Sequence, residues 1–277
     1  MRVLRFAVVL GLCVCAQAPH AAPASSALLD VPTPYVPSTR MNVDEMLRLA
    51  GVTPSDIVYD LGSGDGRIVI AAAKDYGARG VGIEIDPALV KASTENAREA
   101  GVANRTLFRE GDVLTADLRE ATVITMYLLT SLVAKLEKRL LAELRPGARI
   151  VAHDYGFLNW KPDREINISK TYYLYVVPAR VAGLWRLEAP LVHGREFTLD
   201  FEQQFQHIRG GARAGGGYLP AFEARLNGER IYFVLVENDM SYRFEGEVRG
   251  GVIEGIVRSG YGPKLSEQRW RAQRIQK

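Results

Sequence analysis

Residues 57–73 have the sequence IVYDLGSGDGRIVIAAA and decide the fold of this chain. The apolar, β-branched start at 57–59 predicts a buried parallel strand, and the apolar run at 68–73 predicts a helix. Three glycines alternate in the loop between them: Gly62, Gly64 and Gly66. A strand, a glycine loop and a helix N-terminus with unpaired amides form a backbone that a ligand can approach closely. Asp60 lies at the carboxyl end of the strand, where open parallel sheets bind their ligands.

The spacing of these glycines indicates the type of ligand. Dinucleotide loops have the spacing G-x-G-x-x-G, which places a pyrophosphate on the helix N-terminus. Residues 60–66 instead read D-x-G-x-G-x-G, with carboxylates at Asp60 and Asp65. Two carboxylates repel a pyrophosphate and attract a cationic amino-acid group, so nicotinamide or flavin binding is the weaker alternative. A purely structural turn would leave the acids further along the chain unexplained.

Two of these acids end neighbouring predicted strands. Glu84 ends the second strand, where a carboxylate can accept hydrogen bonds from both hydroxyls of a ribose. A solvated strand end is the alternative interpretation of Glu84. Asp112 follows the third strand and can accept a hydrogen bond from an adenine amino group, with Ile85 and Val113 on either side of the ring.

Strands and helices alternate as far as residue 153, which predicts an α/β fold with a Rossmann-like parallel sheet and helices on both faces. Short alternating runs follow beyond residue 190, separated by glycine-rich or Asn-Gly turns such as the one expected at 210–217. They predict a small antiparallel β domain, either a barrel or a sandwich. We also expect residues 172–177 and 184–187 to pair as two antiparallel strands.

The N-terminus has the features of a secretory signal peptide. Arg2 and Arg5 lie at the start of an apolar run at 6–18, and small residues that suit cleavage follow it. The run is too short to span a bilayer comfortably, so we expect cleavage and a periplasmic location, with a membrane anchor or a mitochondrial presequence as alternatives. The predicted organisation is a signal peptide (1–24), a linker (25–40), an α/β domain (41–189) and a β-rich domain (190–277).

Composition argues against several kinds of chemistry. Both cysteines, Cys13 and Cys15, lie in the predicted signal peptide, so the mature chain would have no disulfide, thiolate zinc site or cysteine nucleophile. The histidines beyond it are scattered, and we expect no metal site. The net charge of +3 is too small to indicate a nucleic-acid partner.

The segment DLGSGDG at 60–66 resembles the first motif of class I S-adenosylmethionine-dependent methyltransferases. Further segments narrow the resemblance: PYVPS at 34–38, the residues at 58–69, 82–87 and 138–151, and an aromatic stretch that ends in Trp160-Lys-Pro. Together they resemble the lysine methyltransferases that modify the mitochondrial ATP synthase c-subunit and the adenine nucleotide translocase, and bacterial relatives of these enzymes.

This resemblance implies a class I methyltransferase sheet, S-adenosylmethionine as cofactor and a protein lysine as methyl acceptor, with a membrane protein as one option for the substrate. It implies that the following residues bind the cofactor: Tyr35, Asp60, Gly62, Ser63, Gly64, Asp65, Gly66, Glu84, Ile85, Asp112 and Val113. Two features depart from the group. These are the His-Asp-Tyr segment at 153–155, after the fifth strand, and the β-rich region, which has no counterpart there.

The end of the fourth strand bears on the methyl acceptor. Methyltransferases that act on base or glutamine amide nitrogens carry Asn/Asp-Pro-Pro-Tyr there, whereas this chain has TMYL at 125–128, which disfavours such acceptors. We predict Tyr127 and Asp154 as catalytic residues. Tyr155 and Trp160 could line an acceptor channel with them, and packed core aromatics are the alternative for these two.

His153 is expected to be a hydrogen-bonded histidine at a strand end rather than a base. Two other functions stay open at this point. One is a small-molecule methyltransferase, which would share the cofactor site. The other is a non-catalytic exported binding module that retains the methyltransferase fold.

Overall fold

The computed structural model describes residues 37–189, 197–261 and 264–275. The predicted signal peptide (1–24), most of the predicted linker, and Tyr35 lie outside these residues. Four helices and sixteen strands form within the described ranges. None of these helices is long and apolar enough to cross a membrane.

The first sheet has seven strands, of which five are parallel. In chain order they are β1 (Ile57–Leu61), β2 (Arg79–Glu84), β3 (Thr106–Glu110), β4 (Val123–Met126), β5 (Arg149–His153), β6 (Arg164–Asn167) and β7 (Thr171–Val176). Their spatial order is β3-β2-β1-β4-β5-β7-β6, with β6 and β7 antiparallel to their neighbours. The direction of winding reverses between β1 and β4, so the ligand-binding edge lies at the carboxyl ends of these two strands.

Helices cover both faces of this sheet. They are α1 (Arg40–Ala50), α2 (Arg67–Tyr76), α3 (Pro87–Glu99) and α4 (Thr130–Glu143). Because successive side chains of a strand point to opposite faces, Val58 packs in a core with α1 and α2, whereas Tyr59 packs in the core formed by Leu136 and Leu140 of α4. The predicted Rossmann-like sheet with helices on both faces is confirmed.

The second sheet is antiparallel and has nine strands. They are β8 (Gly183–Glu188), β9 (Phe197–Gln204), β10 (His207–Ala214), β11 (Gly217–Pro220), β12 (Phe222–Asn227), β13 (Arg230–Glu237), β14 (Met240–Arg249), β15 (Val252–Tyr261) and β16 (Lys264–Arg274). Their order is β11-β10-β12-β13-β14-β15-β16-β8-β9, and a further pairing of β9 with β10 closes the sheet into a barrel. Large buried side chains fill its interior, including Trp185, Phe201, Phe233, Phe244 and Trp270. The predicted β domain is confirmed, as a barrel.

The expected pairing of 172–177 with 184–187 is wrong. Strand β7 pairs with β5 and β6 of the first sheet, and β8 pairs with β16 and β9 of the barrel. Strands β7 and β8 belong to different sheets because their large side chains pack in different cores. Tyr175 of β7 packs in the core of the first sheet, and Trp185 of β8 packs in the core of the barrel. The change between sheets therefore falls between Val176 and Gly183, and independent folding of the two predicted domains stays a prediction.

The glycine-rich turn expected at 210–217 is present but shorter, because β10 continues to Ala214 and only Gly215 and Gly216 form the turn to β11. Inside β10, only glycine fits at position 210, because the backbone of β9 passes very close to it. A Cβ atom placed on it would lie 1.9 Å from the carbonyl oxygen of Asp200. Gly210 therefore allows β10 to pair closely with β9 and is not part of a turn.

The two sheets meet through Trp160, which is 1% exposed. Its indole Nε1 donates a hydrogen bond of 2.9 Å to Gln206 Oε1, and its ring stacks on Phe205 with centroids 5.7 Å apart. The Gln206 amide in turn donates to the carbonyl oxygen of Lys161 at 2.7 Å. One aromatic side chain of the first sheet thus packs against the barrel.

Candidate active site

The glycine loop joins β1 to α2, and its three glycines all have positive φ angles. The amides of Gly62 and Ser63 donate hydrogen bonds to the carbonyl oxygen of Ile83 at 2.9 and 3.1 Å, which holds the loop against the end of β2. Gly66 has a φ angle of 83°, and a Cβ atom there would lie 2.7 Å from the ring of Phe108. A side chain at this position would therefore displace the loop from β3.

Asp60 is buried at the carboxyl end of β1, with 3% of its surface exposed. Its Oδ1 accepts a hydrogen bond of 2.7 Å from the hydroxyl of Thr125, its register partner on β4. Burial raises the pKa of Asp60 to about 7, although the Thr125 hydroxyl opposes this shift and the neighbouring carboxylates of Glu84 and Asp65 add to it. The site therefore disfavours this negative charge until a cation is bound.

Glu84 lies at the carboxyl end of β2 and faces the same loop. One carboxylate oxygen accepts a hydrogen bond from the Gly64 amide at 2.9 Å, and the other accepts from Ile85 and Asp86 at 2.8 and 3.0 Å. Three backbone amides therefore orient one side chain that is 8% exposed. Sequence reasoning placed Glu84 beside the loop, and the structure brings the two into contact.

Asp65, the second acid of the loop, has a different environment. Its carboxylate forms an ion pair with Arg67, at 2.9 Å to Nε and 2.5 Å to Nη2, and the same arginine donates to the carbonyl oxygen of Ser38. Asn96 of α3 donates to the backbone oxygen of Asp65 at 2.9 Å. The charge of Asp65 is thus balanced by an arginine, and its backbone is held by α3.

The third strand end is joined to the second. The amide of Gly111 donates to the carbonyl oxygen of Glu84 at 2.8 Å, which brings the turn at 111–113 alongside Glu84. Asp112 is exposed and caps this turn through the Leu114 amide, Val113 is 8% exposed in the core, and Ile85 is 71% exposed. Ile85 is available for contact with a ligand, whereas Val113 packs mainly against the protein.

Four aromatic rings form a column at the carboxyl ends of β4 and β5. From the exposed end inward the order is Tyr155, Tyr127, His153 and Tyr172, with neighbouring ring centroids 6.3, 4.1 and 5.1 Å apart. Tyr155 is 39% exposed and His153 is 1% exposed. The hydroxyl of Tyr172 donates to Asn42 of α1 at 3.0 Å, which fixes the inner end of the column.

Asp154 follows His153 in a left-handed conformation with φ 60°, which is rare for a residue other than glycine. Its Oδ2 lies 2.7 Å from Lys170 Nζ and 3.8 Å from His153 Nε2, and its Oδ1 accepts from the Thr171 amide at 3.2 Å. Burial acts to raise the pKa of Asp154, but the hydrogen bonds from Lys170 and Thr171 outweigh it, so this pKa is lowered. Asp154 is therefore a carboxylate that binds a primary ammonium group.

Two expectations about this edge need correction. Trp160 does not line a channel, because it is buried between the two sheets and bonded to Gln206. His153 is not hydrogen-bonded, because neither ring nitrogen has a hydrogen-bond partner in the part of the chain that the structure describes. Sequence reasoning also missed Thr125 and Lys170, which become neighbours of Asp60 and Asp154 only through strand pairing.

The strand order, the glycine loop with its acids and the switch point between β1 and β4 define a class I methyltransferase. The family model of the ANTKMT methyltransferase domain matches residues 60–164. A protein-lysine N-methyltransferase of Saccharolobus islandicus is 42% identical over 150 residues, which is 52% of this chain and 93% of that protein. The chain therefore belongs to the ANTKMT methyltransferase family, and the resemblance to lysine methyltransferases of this group is confirmed.

Two further relatives extend the comparison. The ATP synthase c-subunit lysine N-methyltransferase of Xenopus laevis is 39% identical, and the match covers 47% of this chain and 57% of that protein. The chain thus spans little more than half of that vertebrate relative. A solved structure is also similar: a crystal structure described as an RNA methyltransferase from Salinibacter ruber, with bound S-adenosyl-L-homocysteine. It is 52% identical to this chain with a TM-score of 0.52, and the match covers 53% of this chain and 96% of that one.

The protein is accordingly an S-adenosylmethionine-dependent methyltransferase. The residues at the strand ends suit this cofactor. Asp60 and Glu84 are buried carboxyl groups of a kind that can accept hydrogen bonds from an ammonium group or from hydroxyls, and the buried Ser63 hydroxyl has no hydrogen-bond partner among the described residues. Within those residues no group of histidine, cysteine and acidic side chains could hold a metal ion.

Proposed function

We propose that this protein transfers a methyl group from S-adenosylmethionine to lysine side chains of a protein substrate. The observation that carries the proposal is the ammonium site at the ends of β4 and β5. Asp154 Oδ2 holds the primary ammonium of Lys170 at 2.7 Å, and this hydrogen bond raises the pKa of Lys170. A lysine side chain thus already fits the chemistry of this edge, and the 42% identity to a protein-lysine N-methyltransferase supports the same acceptor.

We propose that Asp60 and Ser63 bind the amino-acid part of the cofactor and that Glu84 accepts hydrogen bonds from its ribose. Asp112 would accept from the adenine amino group, with Ile85 and Val113 against the ring. The loop itself is shaped by Gly62, Gly64, Gly66 and Asp65. The resemblance also implies that Tyr35 binds the cofactor, and this stays a prediction because Tyr35 lies outside the described residues. Support comes from the three amides that orient Glu84 and from the shared edge that Asp60 and Glu84 occupy.

When bound, the cofactor supplies a methyl group that its sulfonium has already activated. The protein therefore contributes mainly binding and orientation, which place the acceptor nitrogen at near-attack distance. The acceptor amine must also be neutral, because an ammonium has no lone pair. Asp154 raises the pKa of the lysine that it binds, so an acceptor amine held there must give its proton to a base or to water before methyl transfer.

We further propose that the acceptor lysine lies on an apolar segment of a membrane protein. Two large apolar side chains are exposed at this edge: Leu129 at 42% and Ile168 at 63%. Leu129 follows β4, and Ile168 lies in the turn between β6 and β7, which the pairing of β5 with β7 brings to the carboxyl end of β5. The names of two relatives, which act on the ATP synthase c-subunit and on the adenine nucleotide translocase, support such a substrate.

The experiment is methylation with isotopically labelled S-adenosylmethionine. Membrane, soluble-protein and RNA fractions are incubated separately with the purified enzyme, and labelled residues are identified by mass spectrometry. We expect methyl-lysine in the membrane-protein fraction and, at a cofactor concentration near the wild-type Kd, much less label with Glu84→Gln. Label confined to small molecules would favour a small-molecule methyltransferase. The absence of label from every fraction, despite cofactor binding, would favour a binding module.

RNA is the second candidate acceptor. It is favoured by one observation, the description of the Salinibacter ruber structure, to which this chain is 52% identical. The absence of an amide- or base-clamping motif at 125–128 and the small net charge of +3 argue against it. Label recovered in nucleosides rather than in lysine would establish RNA as the acceptor.

Export is proposed on the sequence of residues 1–24 alone, which lie outside the described residues. Expression of the full chain in a bacterial host followed by fractionation tests it. We expect the protein in the periplasm, with its N-terminus near residue 25. A full-length chain in the cytoplasmic fraction would overturn export, and one in the membrane fraction would establish the anchored alternative.

A further inference from the structure

His153 is a buried titratable group to which the proposed function assigns no role. Its ring lies between Tyr127 and Tyr172, and 1% of its surface is exposed. Both ring nitrogens lack a hydrogen-bond partner among the described residues. Burying such groups without partners is costly, and an apolar ring could fill the same space in the column without that cost.

The charged groups around this ring come from two elements. Asp154 follows it directly after β5, with Oδ2 3.8 Å from His153 Nε2, and Lys170 precedes β7, with its ammonium on the same carboxylate oxygen. The titratable phenols of Tyr127 and Tyr172 face the ring from the end of β4 and from β7. At 3.8 Å, Asp154 is too distant for a direct hydrogen bond to the neutral ring, but it is close enough to stabilise a positive charge on it.

We propose that His153 takes up the proton that the acceptor amine must lose before methyl transfer, and that Asp154 stabilises the resulting imidazolium. This inference rests on the proposed lysine methylation. Asp154 Oδ2 holds Lys170 Nζ at 2.7 Å and lies 3.8 Å from His153 Nε2. A substrate ammonium that displaces Lys170 from this oxygen would come within reach of the ring through one water molecule.

The proton balance of this step is simple. An N–H bond of the substrate ammonium breaks, and its electron pair stays on nitrogen as the lone pair of the neutral amine. The proton forms a new N–H bond on the uncharged imidazole ring. After methyl transfer the imidazolium loses this proton to water, past Asp154, whose side chain is 19% exposed. Burial lowers the pKa of His153, as does the charge of Lys170, and Asp154 opposes this, so the ring is uncharged and able to accept a proton at neutral pH.

The test is the pH profile of label transfer into the membrane-protein fraction. For the wild type we expect the rate to rise to a plateau as His153 loses its proton and to stay level from about pH 7 to about pH 9. The variant His153→Phe keeps an aromatic ring in the column and has no basic nitrogen. Its rate should fall at least 100-fold at neutral pH and should then rise about tenfold per pH unit, because only the free amine reacts.

Charge variants of the neighbours provide a second measurement that does not require His153→Phe to fold. Asp154→Asn removes the charge that raises the pKa of His153, so the acid limb of the profile should move to lower pH. Lys170→Gln removes a charge that lowers it and should move the limb to higher pH. His207→Phe, an exposed residue of the barrel, is the control and should leave the profile unchanged.

Several outcomes would overturn the inference. A wild-type profile in His153→Phe would mean that His153 accepts no proton, as would charge variants that do not move the acid limb. A variant that has lost cofactor binding or a large part of its thermal stability would assign His153 a structural role. If the wild type labels no lysine at all, the proposed function itself fails, and this result is distinct from lysine labelling that does not depend on His153.

Discussion

At the scale of single residues, two carboxylates that end neighbouring strands have different environments. Glu84 receives hydrogen bonds from three backbone amides, whereas Asp60 is buried and receives one from the Thr125 hydroxyl. Burial favours the neutral form of a carboxyl group. The backbone thus fixes the orientation of the Glu84 side chain, and the charge of Asp60 depends on what is bound beside it.

For Glu84 we predict that Glu84→Gln weakens cofactor binding by roughly 1.5–3 kcal/mol, or about 10- to 150-fold in Kd, because charge-assisted hydrogen bonds are lost. Calorimetric titration with S-adenosylmethionine measures this. Glu110→Gln is the matched control, since Glu110 is the exposed register partner of Glu84 on β3, and it should bind normally. An unchanged Kd in a folded Glu84→Gln protein would refute the ribose assignment.

For Asp60 we predict a dependence of stability on pH. Because its pKa is raised to about 7 in the folded protein, the folded state keeps a proton that the unfolded state loses above about pH 4. The stability from this proton is present at low pH and is lost as the pH rises through 7. Relative to Asp60→Asn, which does not titrate, the wild type without cofactor should lose roughly 1–3 kcal/mol between about pH 5 and pH 8.5, or about 2–10 °C in Tm.

Calorimetric or fluorescence melting curves of both proteins across this pH range provide the measurement. The comparison removes the pH dependence of all other groups, since only Asp60 differs. A difference in Tm that stays constant with pH would show that Asp60 has an ordinary pKa in the folded protein.

At the scale of elements, one arginine joins α4 to the turn that carries Asp112 and Val113. Arg139 donates to the carbonyl oxygen of Val113 at 2.8 Å and to that of Ala116, and it pairs with Glu143 at 2.7 Å. Its side chain is 18% exposed. The turn on the adenine side of the proposed site is therefore anchored by a helix on one face of the sheet.

We predict that Arg139→Gln lowers the free energy of unfolding by about 1–3 kcal/mol, because two carbonyl oxygens and one carboxylate lose their donor. It should also weaken cofactor binding through the loosened turn. Denaturant unfolding and calorimetry measure the two effects. Arg119→Gln is the control, because Arg119 forms an exposed ion pair with Asp117 and should change stability by less than about 0.5 kcal/mol. Equal stability of the two variants would show that the anchor is unimportant.

At the scale of the whole molecule, the α/β sheet and the barrel share a small polar junction. Gln206 accepts from the Trp160 indole and donates to Lys161, both on the segment that follows β5. We predict that Gln206→Leu destabilises the protein by about 1–3 kcal/mol, because a buried indole N–H loses its partner. Cofactor affinity should stay unchanged, since the junction lies away from the glycine loop. Melting curves and calorimetry provide the two measurements.

Gln204→Leu is the control for this substitution, because Gln204 is exposed and lies two residues away on β9. It should leave Tm nearly unchanged. A Gln206→Leu protein as stable as the wild type would mean that the junction adds no stability. Loss of cofactor binding in the folded variant would mean that the barrel helps to shape the site.

Local patterns in the sequence were sufficient for the α/β sheet, the glycine loop and the position of Glu84, because each depends on residues close in the chain: β-branched runs, alternating glycines and acids at strand ends. The barrel closure and the placement of β7 and β8 depend on pairings between distant strands, which periodicity does not encode. The same holds within the site. Thr125 meets Asp60, Lys170 meets Asp154, and the ring of Tyr127 packs on that of His153, only because the sheet places β1, β4, β5 and β7 side by side.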